Sequence, residues 1–189
     1  MKPSQLLIAV AATLAFSGAA NAALLTSTSG SNVVTDFSTP SLVAFDLDLK
    51  DFSSTRLNFV LQDDDLLGPL SMNALVRNLS GYGLEHFTFS LQGISFATPG
   101  SVTPTFGTIK QMAFDGKTAA ISFGTPEYAE FHFGNPFGLS GQSNWVLDTR
   151  GLRAGYAFSI KANVPEPSTF VLLLSALAMM GVYVIRRKG

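Results

Sequence analysis

Apolar and polar residues alternate through most of the middle of the chain. In SLVAFDLDLKD, Val43, Phe45, Leu47 and Leu49 are interleaved with Ala44, Asp46, Asp48 and Lys50. A period of two puts one set on a buried face and the other in water, which predicts a half-buried strand. RLNFVLQ repeats the pattern with Leu57, Phe59 and Leu61, and HFTFSLQ with Phe87, Phe89 and Leu91. EYAEFHF turns Ala129, Phe131 and Phe133 inward and leaves Glu130 and His132 outside, and GYAFSIK does the same with Tyr156, Phe158 and Ile160. LSMNALVRN alternates at Leu70, Met72, Ala74 and Val76, but Leu75 breaks the rule. Asp115-Gly116, between two β-like runs, predicts a tight hairpin. Further breakers fall at Leu67-Gly68-Pro69, Thr98-Pro99-Gly100, Gly124-Thr125-Pro126 and Gly134-Asn135-Pro136. None of these segments carries a helical stripe. Roughly eight to ten short strands at spacings of about 8–12 residues predict an all-β domain, an antiparallel β-sandwich of jelly-roll-like form. Residues 23–40, rich in Ser and Thr, form either an edge strand or a loose segment.

The two ends break this pattern. MKPSQLLIAVAATLAFSGAANA has a basic start at Lys2, an apolar run from Leu6 to Phe16, and small residues at Ala20 and Ala22. That order is the one a secretory signal peptide needs, and it places cleavage between Ala22 and Ala23. At the other end Thr169–Ile185 is seventeen residues without a charge, followed by Arg186, Arg187 and Lys188. A helix of that length spans roughly 26 Å, and the basic residues stop transfer and stay inside. The chain is thus divided into a signal helix (1–22), an exported β domain (23–163) and a C-terminal segment (164–189) holding a transmembrane helix (169–185) and a basic end (186–188).

Charge and cysteine content narrow the function. Residues 23–163 hold eight Lys and Arg against twelve Asp and Glu, a net charge of −4. An acidic domain lacks the basic footprint that nucleic acid requires, so nucleic acid is excluded as a partner. The chain has no cysteine. Disulfides, thiolate metal sites and thiol nucleophiles are therefore absent, and the domain depends on its core alone.

Few residues point to chemistry. Asp63, Asp64 and Asp65 are the densest acidic cluster and offer oxygen ligands to Ca²⁺, set against a solvated loop joining two strands. Asp46 and Asp48 share one strand face about 7 Å apart, a spacing open to acid–base work on a glycosidic bond or to a wet sheet surface. His86 and His132 fall on polar faces near Glu85 and Glu130, which predicts exposure, set against a two-His metal site or a general base. Asn78-Leu79-Ser80 matches a glycosylation sequon, and Thr26/Thr28 and Thr103/Thr105 are two isolated Thr-x-Thr pairs. No Gly-x-Ser-x-Gly, Walker or dinucleotide-binding pattern occurs. No cofactor is expected.

The end of the chain is more specific. Val164-Pro165-Glu166-Pro167-Ser168-Thr169, an apolar run and a terminal Arg-Arg-Lys resemble the PEP-CTERM sorting signal of Gram-negative bacteria, with Phe170 where Trp is common. The resemblance implies a substrate rather than an enzyme: cargo for exosortase, a membrane-embedded transpeptidase-like protease acting near Val164, Pro165, Glu166 and Pro167. Such cargo is associated with exopolysaccharide and biofilm, and tails of this kind are also described as an ice-binding-protein C-terminal domain. The expectation is a non-enzymatic surface or extracellular-matrix protein, exported through signal peptidase, held transiently in the inner membrane with its domain in the periplasm, then released to the surface. The alternatives are a carbohydrate- or calcium-binding module and a polysaccharide hydrolase.

Overall fold

The computed structural model describes residues 22–165. The signal helix, all but its last residue, and the transmembrane helix with its basic end lie outside the described residues. Among the described residues no helix is long and apolar enough to cross a membrane. Thirteen strands form there. In chain order they are β1 (Leu24–Ser29), β2 (Val33–Asp36), β3 (Leu42–Leu49), β4 (Thr55–Val60), β5 (Leu70–Asn78), β6 (Leu84–Gln92) and β7 (Ser95–Thr98). They continue with β8 (Val102–Pro104), β9 (Thr108–Phe114), β10 (Thr118–Glu127), β11 (Glu130–Phe133), β12 (Trp145–Asp148) and β13 (Ala157–Asn163). A single 3₁₀ turn, Asp63–Leu66, joins β4 to β5.

The strands make two sheets. The first runs β1-β4-β13-β6-β10-β9, and the second runs β2-β3-β5-β11-β8, with β12 linking β5 to β7. The alternating runs of the sequence are β3, β4, β6, β11 and β13. Residues 23–40 become two edge strands, β1 on one sheet and β2 on the other. β9 and β10 form the expected hairpin, in which Asp115 accepts the amides of Lys117 and Thr118 at 2.9 and 2.7 Å and Gly116 takes φ +81°. One pairing departs from the antiparallel expectation. β3 and β5 are parallel, with Asp46 beside Leu75 and Asp48 beside Arg77. The reason is the path of the chain: β4 crosses to the other sheet, so β5 returns in the direction of β3. The result is a mixed sandwich.

Between the sheets lies one apolar core built on phenylalanine. Phe45, Phe59, Phe87, Phe89, Phe131, Phe133 and Trp145 are all fully buried. Phe89 meets Phe45 and Phe133 edge-on across the sheets, with ring centroids 5.9 and 4.8 Å apart, and Phe133 stacks on Trp145 at 4.4 Å. Edge-to-face rings at these separations add to the burial of their apolar area.

Glu127 is the charged residue that ties loops to this core. It is fully buried, and its carboxylate accepts the amides of Gly107 (2.8 Å), Ala129 (2.9 Å) and Phe106 (2.9 Å). Burial pushes its pKa up, but these backbone donors outweigh it and hold the group below its ordinary value.

Two outcomes are expected from this packing. Phe133→Ala lowers the unfolding free energy by about 3–5 kcal/mol in urea denaturation, from the lost ring and the cavity left behind. Glu127→Gln lowers it by about 1–3 kcal/mol at pH 7, because three amides lose a charged acceptor. A depressed folded pKa stabilises above the unfolded value of about 4.3 and ceases to do so as pH falls through the folded pKa. The gap between wild type and Glu127→Gln therefore narrows in melts taken below about pH 4.

Candidate functional site

The outer face of the second sheet gathers most of the polar residues singled out in the sequence. Register sets Asp48, Arg77 and Glu130 in one row across β3, β5 and β11, and Asp46, Leu75 and His132 in the next. Arg77 joins them. Its guanidinium donates to Asp48 at 2.7 Å and to Asp46, and Nε lies 3.9 Å from Glu130. The Asp48 bond, ahead of the one to Asp46, holds the Arg77 pKa above its usual value. The pair at Asp46 and Asp48 is therefore the anchor of a shared ion pair. His132 is not exposed as expected: its side chain is 13% accessible, and its ring meets the edge of Phe137 at 4.9 Å. Leu75, the residue that broke the alternation of its strand, is buried on this outer face and shares a groove with Phe37 and Phe137, two half-exposed aromatics. Together with Arg77, Asp46 and Asn73 they line a groove of about 380 Å³.

The remaining candidates lie elsewhere. His86 stands on β6 of the other sheet, 3.1 Å from the Ser122 hydroxyl, so the two histidines share no site. Asn78 is buried and its amide donates to the carbonyls of Tyr82 (2.6 Å) and Glu127 (2.9 Å), a structural role that occupies the nitrogen a glycan would take. Thr26 and Thr28 lie on β1, and Thr103 on β8 of the opposite sheet.

The acidic triplet does not converge. Asp63 is exposed, while Asp65 is fully buried rather than solvated. Its carboxylate accepts the amides of Gln62 (2.8 Å) and Ala23 (3.2 Å), and a further amide from Ser41. Ser41 is held at φ 65°, a left-handed conformation unusual for a residue with a side chain. Among the described residues, no group of three or more His, Asp or Glu is placed to hold a metal ion.

At the C-terminal end, β13 lies inside its sheet, paired with β4 on one side and β6 on the other. Asn163 is still paired with Thr88, Val164 is buried, and Pro165 is the first exposed residue. Glu166, Pro167, Arg186, Arg187 and Lys188 lie beyond the described residues, as does Ala20 at the other end.

The profile described as the PEP-CTERM protein-sorting motif matches residues 163–188. The tail carries this sorting motif. Comparison with curated proteins and with solved structures returned no match. A PEP-CTERM tail implies export, membrane-associated sorting and exosortase-type processing. The motif begins on the last residue of an interior strand, so no linker separates it from the sandwich. Processing upstream of Pro165 would require β13 to be pulled from between two neighbours.

The Arg77 cluster gives a separate test. Arg77→Gln leaves Asp46, Asp48 and Glu130 facing one another without a cation and costs about 1 kcal/mol, since the group is a third exposed. Adding Asp46→Asn in a double-mutant cycle recovers part of that loss, and 1 M salt shrinks it, both read from urea denaturation.

Proposed function

We propose that this protein is an exported, non-catalytic surface or matrix component, delivered by its PEP-CTERM tail and released from the membrane by an exosortase-type transpeptidase near Pro165-Glu166-Pro167. The carrying observation is the sorting motif over residues 163–188, directly abutting a folded β domain. The prolines favour an extended backbone, the form a protease binds, just where the chain leaves the sandwich. A non-catalytic body fits the side chains: Asp46 and Asp48 are committed to Arg77, and Asp65 is buried under backbone amides. Its association is with exopolysaccharide or biofilm matrix.

A second reading has its own support. The groove flanked by Phe37 and Phe137, with Arg77, Asp46 and Asn73 on its floor and walls, combines apolar faces for stacking with polar groups for hydroxyls. Binding a sugar chain there is compatible with the same delivery route.

Replacing Pro165 and Glu166 by alanine tests the sorting reading. The expected result is a full-length protein accumulating in the membrane fraction, as in a strain lacking the exosortase, while wild type loses its tail. Equal processing of variant and wild type would contradict it.

A further inference from the structure

Two carboxylates are fully buried in this domain, and they are shifted in opposite directions. Glu127, with its backbone donors, is held below its ordinary pKa. Asp65 also receives backbone amides, yet burial, reinforced by the charge of Asp64, leaves it above its ordinary value. Among the described residues no Lys, Arg or His lies within ion-pair distance of Asp65. At Glu127 backbone amides alone outweigh burial, whereas at Asp65 they do not, so a counter-charge beside Asp65 would stabilise it.

The register shows where one would come from. β1 pairs with β4 at Leu24 and Val60, so the residue before Leu24 falls beside the end of β4 and the turn that follows. Ala23 is 1% exposed there, and its backbone nitrogen lies 3.2 Å from Asp65 Oδ1. The signal-peptide pattern places the scissile bond on that same nitrogen.

We propose that the α-ammonium of Ala23, created by signal cleavage, is the missing partner of Asp65, so that export processing completes the core. The inference rests on the export reading above and on cleavage between Ala22 and Ala23. Hydrolysis breaks that C–N bond: water gives its hydroxyl to the Ala22 carbonyl carbon and a hydrogen to the Ala23 nitrogen. The new acid then passes its proton to the amine, leaving carboxylate and ammonium. The nitrogen keeps its place and gains a charge. Because docked Ala23 is buried, the peptidase acts before the N-terminus seats, and seating then locks the product. Asp64 on the same turn is the other charged group acting on Asp65, while Ala23, Ser41 and Gln62 present backbone amides.

An amine paired with a carboxylate has a raised folded pKa, so its contribution is complete below the free value of about 7.7–8.0 and is lost as pH rises through the folded value. The test uses the processed, exported protein purified in detergent, and a second preparation that retains Ala22. Intact mass gives the first residue, and the pH dependence of α-amine acetylation gives its pKa. The expected results are a chain beginning at Ala23, an amine pKa raised by at least about one unit, meaning roughly tenfold slower acetylation near neutrality, and a lower melting temperature for the chain retaining Ala22. In Asp65→Asn the amine returns to its ordinary value. If that variant does not fold, the comparison with the extended chain decides alone. A first residue other than Ala23 overturns the cleavage position and the pairing with it. A chain that begins at Ala23 but titrates normally, and melts as the extended chain does, overturns the pairing and leaves the export reading intact.

Discussion

The contact between Phe89 of one sheet and Phe45 and Phe133 of the other is the interaction on which the rest of the molecule depends. With no cysteine in the chain, no covalent cross-link holds the sheets together. They meet through rings packed edge to face, with Phe87 against Phe131 and Phe123 against Phe131 extending the seam. The rings take alternate positions on their strands, so the opposite positions face water. That second set is where the Arg77 cluster sits, and its spacing is inherited from the core. The parallel β3–β5 pair sets Asp48 beside Arg77 and Asp46 beside Leu75, and Leu75, Asp46 and Arg77 line one groove with Phe37 and Phe137.

Much of this architecture was legible from local sequence. Period-two runs located β3, β4, β6, β11 and β13, and Asp115-Gly116 located the β9–β10 hairpin. Pairing was not legible, because registers depend on residues far apart in the chain. The parallel β3–β5 ladder follows from β4 changing sheets, which no local pattern encodes. For the same reason the pairing of Arg77 with Asp46 and Asp48 had no local signal, and His132, expected to be exposed, is largely covered. Leu75 was the one local signal of the groove: an apolar residue on a wet face, which reads as a flaw in a strand until its neighbours are known. Asp65 was masked by its company, since three adjacent aspartates read as a solvated loop while the 3₁₀ turn points one of them inward.

The sorting motif starts on an interior strand, and the other end of the exported domain is pinned by Asp65 through Ala23. At one end Val164 is buried and Pro165 exposed; at the other Ala23 is buried next to a half-buried Ala22. On the proposed reading, trimming outside Ala23 and Val164 leaves the core in place, since both of these residues are buried.

The most direct test of that account is the mass of the protein recovered from the cell surface or medium. A single species that begins at Ala23 and ends at or just beyond Pro165, without residues 169–188, is the predicted result. Recovery of the intact C-terminal segment on all of the exported protein would contradict it.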